Sequence, residues 1–274
     1  MDRTDIAYVL NSTPKYFYLL PLHVGLLKRY AQGLQWPLYF GTEVPDHEGL
    51  KALGAEFQIL PLNEEDKYFL ESRYATIKAL PQEIQYIFPI QEDFLLERFI
   101  DEKAIQEAIE ILDEDLSVVS IRLMPCPGPR DEDVFYEGST RYKILGPKNT
   151  FLYSFQATLW RRKAFEDFYK EILKHCDPNA QSFMPSSLQK ESFEKKKKFI
   201  EVDLNISENQ FGQEKCKQIL GSYKHLAYKR EHPKPNAVYM SPWPYRPTAV
   251  EKGVLGGWVP ELAQREGFPL QIPK

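Results

Sequence analysis

The chain has no run approaching the roughly 20 uninterrupted apolar residues that a membrane-spanning helix requires. Near its start the apolar residues are broken by Asn11, Pro14, Lys15, Pro21 and His23. Asp2 and Asp5 stand where an export signal would carry basic residues, so no secretory signal is expected. Cysteine is scarce. Cys126, Cys176 and Cys216 are odd in number and show no CxxC spacing, which speaks against a disulfide framework or structural zinc and for a reducing compartment. The histidines, His23, His47, His175, His225 and His232, form no HxxxH or HxH pair. Neither a GxGxxG fingerprint nor a GxxxxGK phosphate loop occurs, and no serine or cysteine sits in a nucleophile elbow. An excess of basic charge is missing too. Lys and Arg number 35 against 39 Asp and Glu, for a net charge of -4, which argues against a nucleic-acid partner. The Lys195–Lys198 run reads as a solvated face. A cytoplasmic protein is expected (host cytoplasm, were the chain viral), with no membrane span.

What is present is ordinary in bulk and unusual in detail. With 274 residues, 43% hydrophobic and 27% charged, the chain can bury one large core without staples. Proline (21 residues) and aromatics (17 Phe, 16 Tyr, 4 Trp) are abundant, and aromatic, loop-rich surfaces suit planar or sugar-ring ligands. Much of that excess falls in residues 124–160 and 232–260.

Short apolar runs alternate with helical patterns over the first 94 residues. Strands are predicted at Ile6–Leu10, Pro37–Phe40, Phe57–Leu62 and Gln85–Ile90. Between them lie helices over 16–31, where Pro21 must start or kink the helix, over Asp46–Leu53, and over Tyr68–Leu80. Four alternations imply parallel pairing, and ligands of such sheets gather at the carboxyl ends of the strands. Further on, Asp101 should cap a helix burying Ile105, Ala108, Ile109 and Leu112, and Ser117–Leu123 should be a strand. Residues 124–150 read as a long surface loop. A helix follows with Phe165, Phe168, Tyr169, Ile172 and Leu173 on one face, and a short one is expected near Trp258–Arg265.

Three strand ends carry small polar groups or carboxylates: Asn11-Ser12-Thr13, Gly41-Thr42-Glu43 and Gln91-Glu92-Asp93. Adjacent carboxylates at a strand's carboxyl end can hold a divalent cation that bridges a diphosphate, or can be a solvated acidic turn.

Four alternations followed by YIFPIQEDFLLER (86–98) resemble the nucleotide-sugar half of GT-A-type glycosyltransferases. The resemblance implies a GT-A-like, Rossmann-like α/β fold: one domain with a mixed, mostly parallel sheet flanked by helices. Residues 1–100 would form the donor half, and 101–274 the acceptor half and closing segment. It also implies Mn²⁺ or Mg²⁺ beneath the donor diphosphate, held by a short acidic motif of DXD type. Gln91 stands where the first carboxylate would be, leaving Asp93 as metal ligand with Glu92 in support. YSFQATLWRRKAFEDFYKEIL (153–173) is similar to the segment that follows the acceptor loop in small viral and bacterial members, where a strand with Gln and a Trp-Arg pair opens a helix under the sugar. DLNISENQFGQE (203–214) is similar to the segment supplying the catalytic base of inverting members, and PTAVEKGVLGGW (247–258) to the closing segment. The compact single-domain transferases of large DNA viruses and of bacterial surface-polysaccharide pathways are the nearest in character.

The resemblance then implies roles. Glu208 would be the general base of an inverting transfer from a UDP-sugar to a glycan hydroxyl, with Asp133 and Glu137 as rivals. Asn11, Ser12, Thr13, Glu43, Arg73, Gln91, Glu92, Asp93 and Lys252 would meet the nucleotide-sugar donor, although Arg73 fits a surface ion pair equally well. Gln156, Trp160, Trp243 and Tyr245 would meet the acceptor, with Trp160 as readily a core residue, and with Trp243 and Tyr245 either on an exposed loop or, equally well, packed inward. A nucleotidyltransferase would share the sheet but wants a Gly- and Lys-rich loop that NSTPKY lacks. A non-catalytic carbohydrate-binding protein gripping glycans with aromatic loops is the other alternative.

Overall fold

A computed structural model describes residues 3–51, 53, 56–63, 69–126, 128–146, 149, 152–154, 156–175, 216–231, 236–246, 248–251, 253–268, 270 and 272. Strands β1 (Ile6–Asn11), β2 (Leu38–Thr42), β3 (Gln58–Pro61) and β4 (Tyr86–Ile90) alternate with helices α1 (Leu20–Tyr30), α2 (Glu48–Lys51) and α3 (Phe69–Ala79). β5 (Leu95–Leu96), α4 (Glu102–Glu114), β6 (Val118–Arg122), β7 (Tyr142–Ile144), β8 (Thr158–Arg161), α5 (Arg162–His175) and β9 (Lys224–Tyr228) follow. The last described elements are α6 (Asn236–Tyr239), β10 (Tyr245–Arg246), β11 (Val250–Glu251), β12 (Val254–Leu255) and α7 (Trp258–Glu266).

Among the described residues the main sheet has eight strands in the order β3-β2-β1-β4-β8-β6-β9-β7. β1 pairs in parallel with both β2 and β4, and β2 with β3, as the alternation predicts, and β6 also pairs in parallel with β9. β8 lies antiparallel between β4 and β6, and β7 is antiparallel to β9 at the far edge. The architecture is therefore the mixed, mostly parallel, helix-flanked Rossmann-like sheet that GT-A transferases and nucleotidyltransferases share. The chain winds outward from β1 through β2 to β3, then crosses back to place β4 on β1's other side. The point where the winding reverses lies between β1 and β4, and ligands of such sheets bind outside the carboxyl ends there.

Alternation within the buried strands divides the core. Ile6, Tyr8 and Leu10 of β1 face one way with the apolar stripes of α1, α4 and α7. Ala7 and Val9 face the other, toward Leu70 and Ile77 of α3 and the Phe165–Phe168–Tyr169–Ile172 face of α5. Asp101 caps α4 as expected, accepting from the Ala104 N–H at 3.1 Å. Pro21 falls in the first turn of α1, where no N–H is needed, and a 3₁₀ turn over Pro14–Leu19 leads into it. The last described helix, α7, is strapped to α1. Glu266 accepts from Arg29 Nη1 at 2.6 Å and from the Tyr30 hydroxyl at 2.9 Å. Arg29 lies over the Phe268 ring, which packs so closely on Gly25 that a Cβ there would collide with it.

Two expectations are corrected. Residues 124–150 are not simply a surface loop. Met124, Cys126, Tyr142 and Leu145 are buried, and Tyr142–Ile144 pairs with β9 while the Tyr142 hydroxyl donates to Ala104 O at 2.7 Å. Trp243 and Tyr245, expected on an exposed loop, are 4% and 0% exposed. The prolines do break the chain there, but the short β10–β5 pairing folds both rings inward, with Phe94 stacked on Tyr245 and Phe88 edge-on to Trp243.

Candidate active site

The strand-end residues converge at the reversal point. β1 ends in Asn11 and Ser12, and β4 runs into Gln91, Glu92 and Asp93. The Ser12 hydroxyl donates to Glu92 Oε1 at 2.7 Å and ties the two strand ends together. Asn11 turns toward β2 and α3, its amide donating to Thr76 Oγ1 at 2.7 Å and Gly41 O at 3.2 Å. Gly41 is glycine for that reason, since a Cβ would overlap Thr76 Oγ1 and the Asn11 amide. The Asn11 amide N–H groups thus serve the framework.

Glu92 is buried, and burial raises its pKa against the opposing pull of the Ser12 hydrogen bond and the nearby Arg73 charge. Asp93 is pushed up to about 7, first by burial and then by the neighbouring Glu92 charge. Two adjacent carboxyl groups thus share an edge where full ionisation of both is disfavoured, so a bound proton or cation would relieve them.

Small cavities lie beneath this edge on either face of the sheet, with Pro89, Ile90 and Gln91 lining both. On the α3–α5 face, Asn11, Arg73, Gln156 and Trp160 line a cavity of about 20 Å³. On the α1 face, His23, Phe94, Trp243 and Tyr245 line one of about 10 Å³. Each has room for about one water, so a sugar or nucleotide would lie above them rather than within. Gln156 Oε1 is buried at the first without a hydrogen-bond partner, while at the second the His23 ring lies against the Glu92 backbone and the Tyr245 hydroxyl against that of Ala157.

The sequence-predicted residues are therefore partly gathered. Ser12, Gln91, Glu92 and Asp93 meet at the edge. Asn11, Arg73, Gln156, Trp160, Trp243 and Tyr245 line the cavities below it. Thr13 is exposed, and its carbonyl caps the turn to Tyr16. Glu43 is half-buried just past the end of β2. Glu208 and Lys252 lie outside the described residues. Of the rival bases, Asp133 has its carboxylate held by the Arg130 N–H at 2.8 Å and the Asn149 amide at 2.7 Å, and Glu137 is exposed. The two arginines that follow Trp160 bond to the framework. Arg161 donates to Val118 O and Asp115 O at the end of α4, and Arg162 to Leu80 O at the end of α3.

Sequence reasoning missed two buried ionisable residues. His23 sits in the apolar stripe of α1 with Leu19, Leu20 and Leu27; burial lowers its pKa to about 4 and keeps it neutral. Arg122 ends β6 fully buried, and burial lowers it to about 10, so it stays charged. In each case the signal was a titratable residue inside an apolar period. Another histidine has a settled structural place. His225 Nε2 faces the Leu220 carbonyl at 3.0 Å and must donate, so Nδ1 accepts from the Ser120 hydroxyl at 2.7 Å.

No protein-family model and no curated protein matches the chain. Among solved structures, similarity is found to 4-diphosphocytidyl-2C-methyl-D-erythritolsynthase from Anaerococcus prevotii (10% identity, TM-score 0.35, 72% of this chain and 83% of that one). It is also found to S. aureus TarS 1-349 (11%, 0.39, 60% and 49%) and to mannose-1-phosphate geranyltransferase from Thermus thermophilus (10%, 0.39, 82% and 74%). The chain thus spans about half of the TarS fragment. Likeness this remote carries no argument about activity, and the fold assignment rests on strand order and direction.

Proposed function

We propose that the chain is a glycosyltransferase that moves a sugar from a nucleotide-sugar, a UDP-sugar in the first instance, to a glycan hydroxyl with inversion. One observation carries the reading: Ser12 is joined to the buried Glu92, with the half-buried Asp93 beside it, across the β1–β4 reversal point, where Rossmann-like sheets bind nucleotides. In the transfer the acceptor oxygen bonds to the anomeric carbon as the bond from that carbon to the diphosphate breaks. The electron pair leaves on the diphosphate, and the acceptor proton passes to a base, the role given to Glu208.

Mn²⁺ or Mg²⁺ fits the edge in a limited way. One oxygen of Glu92 is engaged by Ser12, so Asp93 is the carboxylate assigned to the ion, with Glu92 in support, and the described residues hold no group of three His, Cys, Asp or Glu that could cage it. A single carboxylate shared with substrate phosphates is an accepted mode for Mg²⁺. Bound there, the ion would neutralise charge on the leaving diphosphate. Asp93 would hold it, Glu92 and Ser12 would fix the turn, and Lys252 would add a positive charge from the closing segment.

Calorimetric titration with UDP and GDP, with and without Mn²⁺, tests this reading. Binding of one nucleotide, tightened by Mn²⁺ and weakened in Asp93→Asn, is expected. Failure of both to bind at millimolar concentration would sink it. Glu208→Gln should abolish transfer while leaving donor binding intact.

A further inference from the structure

The turn that carries the strand-end carboxylates has carbonyls of its own at Gln91, Glu92 and Asp93, and all three residues are buried or half-buried. Carbonyls in such a place need donors. Gln91 O accepts from the Phe94 N–H at 3.1 Å, and Asp93 O accepts from the Ala249 N–H at 2.8 Å. Among the described residues no backbone N–H serves Glu92 O. His23 stands in its place, in the first turn of α1, 6% exposed and lining one small cavity with Gln91 and Phe94. Its ring lies against the Glu92 backbone, short of closed hydrogen-bond geometry. That contact favours the protonated ring, as an acceptor does and an N–H does not, so the group it meets is the carbonyl.

We propose that His23 is a positioning residue: its ring N–H takes the Glu92 carbonyl and so fixes the angle at which Asp93 meets the cation. The cation's part in this rests on the transferase reading, and the hydrogen bond rests on the fold alone. Phe94 and Ala249 hold the turn through backbone N–H groups, whereas His23 holds it through a side chain, so α1 helps to decide where the acids point. A buried ring N–H left open forfeits its hydration, which makes closure on the carbonyl favourable. A lysine or arginine in the same place would pair with the neighbouring carboxylates and compete with the metal. The neutral imidazole gives a hydrogen bond without adding a charge.

The test uses the full chain. His23→Leu suits the apolar stripe of α1 and removes the donor. His23→Asn and His23→Gln return an amide N–H at the reach of Nδ1 and Nε2 respectively. Without nucleotide, hydrogen exchange of the Phe94 amide, which is bonded inside the turn, should run about fivefold faster in His23→Leu, the worth of one neutral hydrogen bond. One of the two amide variants should restore it. With nucleotide, His23→Leu should cut the Mn²⁺-dependent gain in affinity for UDP or GDP by a similar factor and leave the metal-free affinity unchanged. A residue that only packs would move both affinities together. Unchanged exchange in His23→Leu, or a loss that neither amide variant restores, overturns the proposal. If the parent binds neither nucleotide, the transferase reading falls, and the exchange measurement still decides whether His23 holds the turn.

Discussion

At the scale of single residues, the edge between β1 and β4 is governed by how two carboxyl groups are kept out of water. Ser12→Ala leaves Glu92 buried without its hydroxyl donor and should cost about 1–3 kcal/mol in urea unfolding at pH 8. Adding Glu92→Gln should recover most of that loss, because a neutral amide tolerates burial; no recovery would mean that Ser12 acts through something other than Glu92. Asp93 gives a pH signature. Its folded pKa, about 7, exceeds the unfolded value of about 3.9. Its contribution is therefore fully present below pH ~4, drains away as the unfolded chain ionises, and is lost above pH ~7. Asp93→Asn cannot ionise, so it should melt several degrees above the parent at pH 8.5 and within a degree of it at pH 4. Equal shifts at both pH values would show Asp93 ionising as it does in water. The acidic turn itself was legible in the sequence because it ends a recognisable strand. That Asp93 is pushed toward neutrality was not, since Tyr245 and Ala249, which lie near it in the fold, are far along the chain.

Among the elements, helix ends are closed by side chains borrowed from β8 and the start of α5. Arg161 bonds to the backbone of Val118 and Asp115, and Arg162 to that of Leu80. Arg161→Met should lose about 2–4 kcal/mol of stability and expose the last turn of α4 to faster amide exchange. Arg161→Lys should recover only part of this, because an ammonium lacks the guanidinium fork; full recovery would show that charge alone matters. The amphipathic helices α4 and α5 and strands β1 to β4 could be read directly from period and punctuation. β9 could not: Lys224–Tyr228 carries His225 amid its apolar residues, and only pairing with β6 and β7 gives that histidine its buried partners. β7 escaped because three residues with a lysine in the middle show no period. The aromatic SPWPYRP segment was legible as a proline-broken turn. Its burial was not, because β5 supplies the strand that folds it inward.

For the molecule as a whole, nucleotide binding should report through stability by mass action. A donor nucleotide at about 100 times its Kd should add about 2.7 kcal/mol, seen as a melting shift of several degrees. The Mn²⁺-dependent part of that shift should vanish in Asp93→Asn. If the variant keeps it, the cation is held elsewhere. Timing adds a consequence of the strap between α1 and α7. Tyr30 and the Glu266 carboxylate that receives its hydroxyl are 236 positions apart. At about 5–20 residues per second, a ribosome needs roughly 10–50 s to cover that distance. Through that interval the flank of α1 that Phe268 will cover faces solvent, and Arg29 waits without its carboxylate. Closure of this corner therefore waits on residues made long after α1, and that interval leaves a window in which a chaperone can hold α1 before the fold does.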